Sequence, residues 1–398
     1  MRIALITHKL AKGDGQGRVN YELARGALAA GHTVFMLASE VAAELADHPL
    51  AHVVRIGVSS LPTSLLRNQL FACRTALWLW RHRAELDLVH ANGFVSWART
   101  DLNSSHFVHA AWLRSPYHTW RVRKDAYGFY QLVYSLANKW LERWSFRRAR
   151  YIVAVSEQVR RELLQAGLER ERLRVVPNGV DTQEFRPAAV SREDLGLPQG
   201  RLMLFVGDIR TPRKNLDTLL RAMSRVSGGS LVVAGDTAGS PYPRVAAQLG
   251  LGHRVSFLGF RRDIPELMRA ADILVFPSRY EACSLVLLEA AASGLPIIAA
   301  RSTGGTELLS PECSALLESP DDHAELAAVL NGLLSAPERL ARMSAEARRV
   351  ALANSWQVLV ERHLQLYHEA LQKPRTGDAD GIPQGREERT LADDVRRP

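Results

Sequence analysis

Short apolar segments alternate with amphipathic segments along almost the whole chain. The strand candidates of the first half are Ile3–His8, Thr33–Ser39, His52–Val58, Asp87–Asn92, His106–Ala110, Tyr151–Ser156 and Leu173–Pro177. Those of the second half are Leu202–Gly207, Ser230–Gly235, Val255–Gly259, Ile273–Pro277 and Pro296–Ala300. Strands that alternate with helices predict βαβ units and parallel sheets. The two sets together predict an α/β protein with two doubly wound domains that face a cleft.

The boundary between the two sets lies in a segment that contains Pro187 and Pro198. With 398 residues, the chain is long enough for two domains of ordinary size. We therefore expect one domain over residues 1–187 and a second over residues 188–355. An amphipathic segment predicts a last helix over residues 356–372. The polar segment 373–398 is poor in apolar residues and is predicted to be disordered.

The cysteines and the hydropathy indicate a cellular location. Cys73, Cys283 and Cys313 are widely spaced and odd in number, which argues against a disulfide framework or a zinc site. No apolar run approaches the roughly 20 residues that a membrane span needs. The N-terminus lacks the features of a signal peptide and is predicted to be the first strand. We expect a cytoplasmic protein.

The positive charge is concentrated in the first half of the chain. The net charge is +9, and residues 1–190 contain 26 Lys and Arg against 16 Asp and Glu. Much of the excess lies in Ala111–Arg150, where nine basic residues accompany two acids and four tryptophans. Basic residues mixed with aromatic ones suggest an anionic surface as partner, here the inner leaflet of a membrane. The alternative is that the aromatic residues are core and the arginines a solvated face.

Three closely spaced glycines, Gly13, Gly15 and Gly17, follow the first predicted strand and open a helix that is predicted to start at about Gly17 and to stop at Gly31. Such a turn lets backbone N–H groups at a helix start approach a phosphate. The spacing is one residue short of the dinucleotide fingerprint, which disfavours an NAD-dependent dehydrogenase. A flexible turn without a ligand is the alternative.

Three cations, Arg210, Arg213 and Lys214, follow the first strand of the second half. A diphosphate leaving group needs such cations because negative charge grows on it as its bond breaks. Arginine can grip a phosphate with two parallel hydrogen bonds, whereas lysine acts as a point charge. The segment has no Walker motif, and a solvated basic turn is the alternative.

Two carboxylates, Glu281 and Glu289, stand eight positions apart after the strand Ile273–Pro277. Leu285–Ala292 is predicted to be a helix, with Ser284 as N-cap and Gly294 as the stop. Glu289 interrupts this apolar helix, and a buried carboxylate is costly unless it is hydrogen-bonded. The vicinal hydroxyls of a ribose would satisfy Glu289, and the helix start near Ser284 and Leu285 would offer N–H groups to a phosphate.

A histidine, His109, is predicted to end a strand of the first domain and to face the cleft. The alternative is a hydrogen-bonded structural histidine. His90 on the neighbouring strand is interpreted as structural.

Six motifs in order resemble the retaining glycosyltransferases of family 4. The most specific is the E-x7-E motif, Glu281 to Glu289. The others are Val176-Pro-Asn-Gly-Val-Asp181, Ala234-Gly-Asp236, Val255-x-Phe-Leu-Gly259, Gly304-Gly-x2-Glu307 and Ser355-Trp356 followed by Tyr367. The resemblance runs from the first strand to about Leu371. It implies the GT-B fold of two Rossmann-like domains, with a C-terminal helix that crosses back to the first domain.

The resemblance also implies roles for individual residues. Glu289 would bind the ribose of a nucleotide-sugar donor, and Glu281 the hydroxyls of the donor sugar. Lys214, with Arg210 or Arg213, would hold the diphosphate. The remaining donor and acceptor positions would be the backbone near Gly15 and Gly17, the helix start at Ser284 and Leu285, Leu258 along the base, and His109 near the transferred sugar.

Two positions depart from the family pattern. Asp208 stands where members commonly have an arginine, so either Arg210 or Arg213 must supply that charge. Ser284 stands where members commonly have glycine, which puts a close backbone approach in doubt.

The sequence thus predicts transfer of a hexose, with retention, from a UDP- or GDP-type sugar to a glycan, lipid-linked or lipopolysaccharide-type acceptor. No Asp-x-Asp motif is present, so we expect a reaction that needs no metal and no cofactor. No nucleic-acid partner is expected, and the oligomeric state is left open. The alternatives are a sugar-nucleotide epimerase of the same fold and a non-catalytic sugar-binding protein on a membrane surface.

Overall fold

The computed structural model describes residues 1–58 and 61–372, and the predicted disordered tail lies outside them. The first sheet has seven parallel strands in the order β5-β3-β1-β6-β7-β8-β9. Their bounds are β1 Arg2–Ile6, β3 Thr33–Ala38, β5 Ala51–Arg55, β6 Leu88–Asn92, β7 Thr100–Ser105, β8 Ala149–Ala154 and β9 Leu173–Val175. A separate parallel pair consists of β2 Lys9–Leu10 and β4 Glu40–Val41.

The second sheet has six parallel strands in the order β12-β11-β10-β13-β14-β15. They are β10 Leu202–Val206, β11 Ser230–Ala234, β12 Val255–Gly259, β13 Ile273–Phe276, β14 Ile297–Ala300 and β15 Ser314–Leu317. In both sheets the order reverses beside the first strand of the set. Ligands of open α/β sheets bind at the carboxyl ends of the two strands that flank such a switch point. In the second domain these strands are β10 and β13.

Helices alternate with the strands, as the pattern predicts. Those of the first domain are α1 Gly15–Ala29, α2 Ala43–Ala46, α3 Ser64–His82, α4 His109–Arg114, α5 Thr119–Val122, α6 Ala126–Arg148 and α7 Glu157–Gln165. Those that follow are α8 Leu216–Met223, α9 Tyr242–Gln248, α10 Ile264–Ala270, α11 Leu285–Ala292, α12 His323–Leu334, α13 Pro337–Leu352 and α14 Trp356–Gln372. Short 3-10 helices span Arg83–Glu85, Arg170–Arg172, Pro212–Lys214 and Thr306–Leu308.

The last helix, α14, lies on the first domain rather than on the second, from which the chain enters it. Trp356, Leu359 and Tyr367 are buried in the same apolar cluster as strands β1 and β3 and helix α1. Inside this contact, the Tyr367 hydroxyl lies 2.7 Å from Nδ1 of His90, and His90 Nε2 lies 2.7 Å from Ser104 Oγ. The crossing helix therefore fastens the two domains together.

Several element ends agree with the sequence prediction, and α11 does so at both ends. The predicted helix stops Gly31 and Gly294 both have positive φ, at 78° and 71°, a conformation that glycine adopts without steric cost. Helix α1 starts two residues before the predicted Gly17, because Asp14 caps it by accepting a hydrogen bond from the Gly17 amide.

One predicted strand is wrong. The strand is Thr100–Ser105, not His106–Ala110, and His109 begins helix α4 instead of ending a strand. The true strand is fully buried yet mostly polar, so apolar periodicity does not reveal it. Several of its polar groups have partners: Asn103 Nδ2 donates to Ser145 Oγ at 2.9 Å, and the Asp101 carboxylate accepts from the Val89 amide at 2.9 Å. Strand β15 was also not predicted.

Candidate active site

Two predicted cations and one predicted acid meet at the switch point of the second domain. The loop after β10 contains Lys214 and Arg213, and the loop after β13 contains Glu281. Lys214 Nζ lies 2.7 Å from Glu281 Oε1, and Arg213 Nη1 lies 2.9 Å from the same oxygen. Ser278 Oγ donates to it at 3.2 Å. All three of these contacts are made to Oε1 of Glu281.

Local backbone geometry holds the cations in place. Asn215, directly after the 3-10 helix Pro212–Lys214, has a left-handed φ of 64°. Its side-chain amide donates to the Pro277 carbonyl at 2.9 Å, which ties the loop after β10 to the end of β13. A Cβ at Gly207 would lie 3.4 Å from the Lys214 side chain, so the lysine crosses closely over the end of β10. The cations are therefore positioned by the fold before any ligand arrives.

Arg210 is not part of this cluster. Its guanidinium pairs with Asp208, with Nε 2.9 Å from Oδ1, and lies 3.4 Å from Asp236. About half of the Arg210 side chain is exposed, against a third for Arg213. Of the two alternatives that the sequence left open, the structure thus places Arg213, not Arg210, beside Glu281.

Glu289 is a half-buried carboxylate without a hydrogen bond or ion pair within residues 1–58 and 61–372. Burial raises its pKa to about 7, and the charge of Glu184 acts in the same direction. The charges of Arg18 and Lys214 lower the pKa but do not offset the burial. A partly buried carboxylate without a partner is a candidate binding group, because a ligand hydroxyl could donate the hydrogen bond that the protein does not supply.

The start of helix α11 differs from the expectation for Ser284. Ser284 occupies the N-cap position, but its side chain makes no capping bond, and its buried Oγ has no partner in the described part of the chain. Its amide donates to the Gly304 carbonyl at 2.9 Å and is not free for a phosphate. Leu285 follows as the first helical residue and faces the glycine turn of the other domain. A Cβ at Gly15 would lie 3.7 Å from Leu285 Cδ1.

The glycine turn therefore reaches the site with Gly15 rather than with Gly17. The Gly17 amide donates to Asp14 Oδ1 at 2.7 Å, so it is already occupied. Leu258 is partly buried against the apolar core of the second domain. Phe260, two residues on, is exposed.

His109 is held on the first-domain side by an acid. Its Nδ1 lies 2.7 Å from Glu142 Oε1, and its backbone amide donates to Glu142 Oε2 at 3.1 Å. A carboxylate oxygen accepts, so Nδ1 carries a proton, and in the neutral ring Nε2 is then the acceptor. The ring meets Phe107 edge to face at 4.9 Å. Phe107 in turn contacts Tyr280 of the second domain at 5.5 Å.

Direct hydrogen bonds join the two sides of the cleft. The Tyr280 hydroxyl donates to Glu162 at 3.0 Å, and burial together with the charge of Glu162 raises the tyrosine pKa. Glu307, in the predicted Gly304-Gly-x2-Glu motif, accepts from the Glu157 amide of the first domain at 2.6 Å. The motif thus helps to align the domains.

Sequence reasoning missed two residues beside the site, Glu142 and Arg18. Glu142 is one of only two acids in the basic stretch Ala111–Arg150, which was the available signal. Arg18 follows the glycine turn, pairs with Glu22, Asp181 and Glu184, and influences Glu289 through its charge. No sequence pattern shows that α1 meets the interdomain linker.

Two family models match the chain. Glycosyltransferase Family 4 matches residues 13–184, and Glycosyl transferases group 1 matches residues 200–336. The chain belongs to glycosyltransferase family 4. In this family 4 chain, one model matches the part with the first sheet and the other matches the part with the second sheet. The predicted GT-B fold is confirmed.

Curated relatives include the D-inositol 3-phosphate glycosyltransferase of Nocardia farcinica, 34% identical over 239 residues. The match covers 56% of this chain and 53% of the relative, so it spans about half the length of that protein. A relative from Mycobacterium bovis is 34% identical over 235 residues, which are 56% of this chain and 49% of the relative.

Solved structures share the fold along most of the chain. Sucrose-phosphate synthase from Thermosynechococcus elongatus aligns with a TM-score of 0.77 and 22% identity, over 93% of this chain and 99% of the other. WaaG, a glycosyltransferase involved in lipopolysaccharide biosynthesis, aligns with a TM-score of 0.71 and 22% identity. The alignment covers 92% of this chain and 99% of WaaG. Anabaena HepE in complex with UDP and glucose aligns with a TM-score of 0.68 and 21% identity. The alignment covers 93% of this chain and 100% of HepE.

The described residues contain neither a metal-binding cluster nor a membrane-spanning helix. Within the described ranges, no group of three or more His, Cys, Asp or Glu side chains is arranged to hold a metal ion. None of the helices in the same residues combines the length and apolar character needed to cross a membrane.

Proposed function

We propose that this chain transfers a hexose from a UDP- or GDP-type sugar to an acceptor, with retention of the anomeric configuration. The main support is the arrangement of Lys214, Arg213 and Glu281 at the switch point, next to the unpartnered carboxylate of Glu289. A nucleotide sugar has ribose hydroxyls, a diphosphate and sugar hydroxyls in that order. In the protein, Glu289 would accept from the ribose hydroxyls, the two cations would hold the diphosphate, and Glu281 would accept from the sugar hydroxyls.

The two cations would stabilise the departing diphosphate. Lys214 is largely buried and keeps its charge close to where negative charge develops, so no large rearrangement is needed during the reaction. Glu281 holds both cations through one oxygen, which leaves the other oxygen to accept from donor-sugar hydroxyls. Because these charges can serve the diphosphate, we infer that the reaction proceeds without a metal ion.

Retention fits attack on the same face of the sugar from which the diphosphate leaves. Glu281 is already paired with two cations and is poorly suited to act as a nucleophile. The leaving phosphate would take the proton of the acceptor hydroxyl, and the protein would act by orientation and electrostatics. His109, with Nε2 free, would accept a hydrogen bond from the transferred sugar or the acceptor.

For the acceptor we propose a glycan, lipid-linked or lipopolysaccharide-type molecule at the cytoplasmic face of a membrane. The likeness to WaaG is consistent with this class. The curated relatives are named for D-inositol 3-phosphate, so this compound is the first water-soluble acceptor to test.

A product assay tests the proposal. The protein is incubated with UDP- and GDP-hexoses, with and without acceptor, in buffer containing EDTA, and the products are analysed by mass spectrometry and NMR. Acceptor-dependent release of nucleoside diphosphate is expected. Conversion of the nucleotide sugar without acceptor would instead indicate an epimerase. Absence of any thermal shift with all the nucleotides would indicate a protein that does not use a nucleotide donor.

A further inference from the structure

Large apolar side chains are exposed on one part of the first domain. Nine of the thirteen exposed large hydrophobic residues in the described chain lie between Leu66 and Trp140. On helix α6 they are Phe129, Val133, Leu136 and Trp140, separated by four, three and four positions. Residues at this spacing share one face of a helix. Contiguous exposed apolar surface of this kind marks an interaction site.

Helix α3, which packs beside α6, also has exposed apolar side chains. Its exposed face contains Leu66, Leu77 and Trp80, and the Trp80 side chain is 78% exposed. The two helices are neighbours, because Asn68 of α3 donates to the Tyr134 hydroxyl of α6 at 3.3 Å. Ala72 of α3 and Leu141 of α6 also share one buried cluster. We call the exposed sides of α3 and α6 together the α3–α6 face.

Basic residues accompany the apolar ones on this face. Helix α3 contains Arg67, Arg74 and Arg81 and no acid, and α6 contains Lys139, Arg143, Arg147 and Arg148. The single acid within α6 is Glu142, which is buried against His109 on the opposite side. Apolar and aromatic side chains flanked by cations are the composition of helices that lie in the interface of an anionic bilayer.

We propose that the α3–α6 face docks on an anionic lipid bilayer. A second copy of this chain is a poorer occupant, because two like faces would bring their cations together. Tryptophans such as Trp80 and Trp140 suit the headgroup level, where an apolar ring with a polar N–H is favoured.

The docked orientation would serve the active site. Helix α6 holds His109 through Glu142 and contacts it with Tyr134, while its other side forms the docking face. A helix with its side chains is about 10–12 Å across, so His109 would lie within reach of a headgroup at the bilayer surface. This use of the face rests on the proposed function, whereas the docking itself does not.

The membrane test uses sedimentation with vesicles of phosphatidylcholine alone and of phosphatidylcholine with about one-third phosphatidylglycerol. We expect binding to the anionic vesicles at low salt, a blue shift of tryptophan fluorescence, and binding at least about tenfold weaker for V133E/L136E. The control is L352E, a matched change at an exposed leucine of α13 in the second domain. It should bind like the wild type.

Three results would overturn the proposal: no vesicle binding, binding indifferent to lipid charge, or equal binding by V133E/L136E. A concentration-dependent dimer that V133E/L136E abolishes would instead assign the face to a second copy. The thermal shift with UDP- and GDP-sugars is measured on the same variants. Intact donor binding with lost vesicle binding separates failure of docking from failure of the proposed donor site.

Discussion

Glu142 binds His109 through both of its carboxylate oxygens, one to the ring nitrogen Nδ1 and the other to the backbone amide. This double contact fixes the position of the ring and its tautomer. Glu142 thereby orients the His109 ring so that Nε2 is available for hydrogen bonding.

The first prediction concerns this pair. E142Q keeps the size of the side chain but weakens the contact with Nδ1, so the histidine is oriented less firmly. We expect a fall in kcat/KM of about 10–100-fold, by analogy with residues that orient ligating histidines. H109A and the double variant H109A/E142Q should fall to a similar level, because the two residues act as one unit. Additive losses in steady-state kinetics would contradict the coupling.

The second prediction separates the cations. K214A and R213A each remove a charge positioned for the diphosphate, and by analogy with oxyanion donors each should raise the barrier by about 2.7–4 kcal/mol. R210A should have a much smaller effect, because Arg210 is paired with Asp208. The matched control is R301A, an exposed arginine paired with Glu318. A larger loss for R210A than for R213A would show that the cluster at Glu281 has been assigned wrongly.

The third prediction concerns the stability cost of Glu289. Its pKa is about 7 in the folded protein and close to 4.3 in an unfolded chain, so folding favours the protonated form. This contribution is fully present below pH 4.3 and is lost as the pH rises through 7. E289Q should therefore be more stable than the wild type at pH 8.5, by about 1–3 kcal/mol, and gain little at pH 4. Urea unfolding at both pH values measures the difference.

The same substitution should weaken donor binding, because the amide cannot accept from both ribose hydroxyls as a carboxylate can. Calorimetry with the donor nucleotide checks this. A stabilised E289Q that binds the nucleotide as well as the wild type would show that the acid does not contact the ribose.

The fourth prediction concerns acid stability. Burial lowers the pKa of His106 and of His363 to about 4, where the first domain meets α14. The unfolded chain binds protons near pH 6.5, whereas the folded protein does not until about pH 4. The free energy of unfolding should therefore decrease as the pH is lowered from about 6.5 to about 4, by about 1–3 kcal/mol for each histidine. H363Q should flatten the pH dependence, whereas H253Q, at an exposed position, should leave it unchanged.

Much of the fold was accessible from the sequence because most of its strands are apolar and because glycines follow the ends of helices α1 and α11. Helix α11 agrees at both ends, and Gly294 has the backbone conformation that its role requires. The polar strand Thr100–Ser105 was not accessible, since Asp101 and Asn103 have hydrogen-bond partners that are distant in sequence. A pattern of single residues cannot show such pairing.

The sequence identified residues of the candidate site but not the contacts between them. The two glutamates and the cations were identified, yet only the folded chain shows that Asp208 draws Arg210 away and leaves Arg213 beside Glu281. Likewise, the occupation of the Gly17 amide by Asp14 follows from the start of α1, two residues before the predicted one.

The most direct test of the donor site is product analysis by proton NMR with an α-linked nucleotide hexose and acceptor, in EDTA, for the wild type and for K214A. We predict an α-linked product from the wild type and a rate for K214A lower by about 100-fold or more. A β-linked product, or an undiminished rate in K214A, would contradict the account.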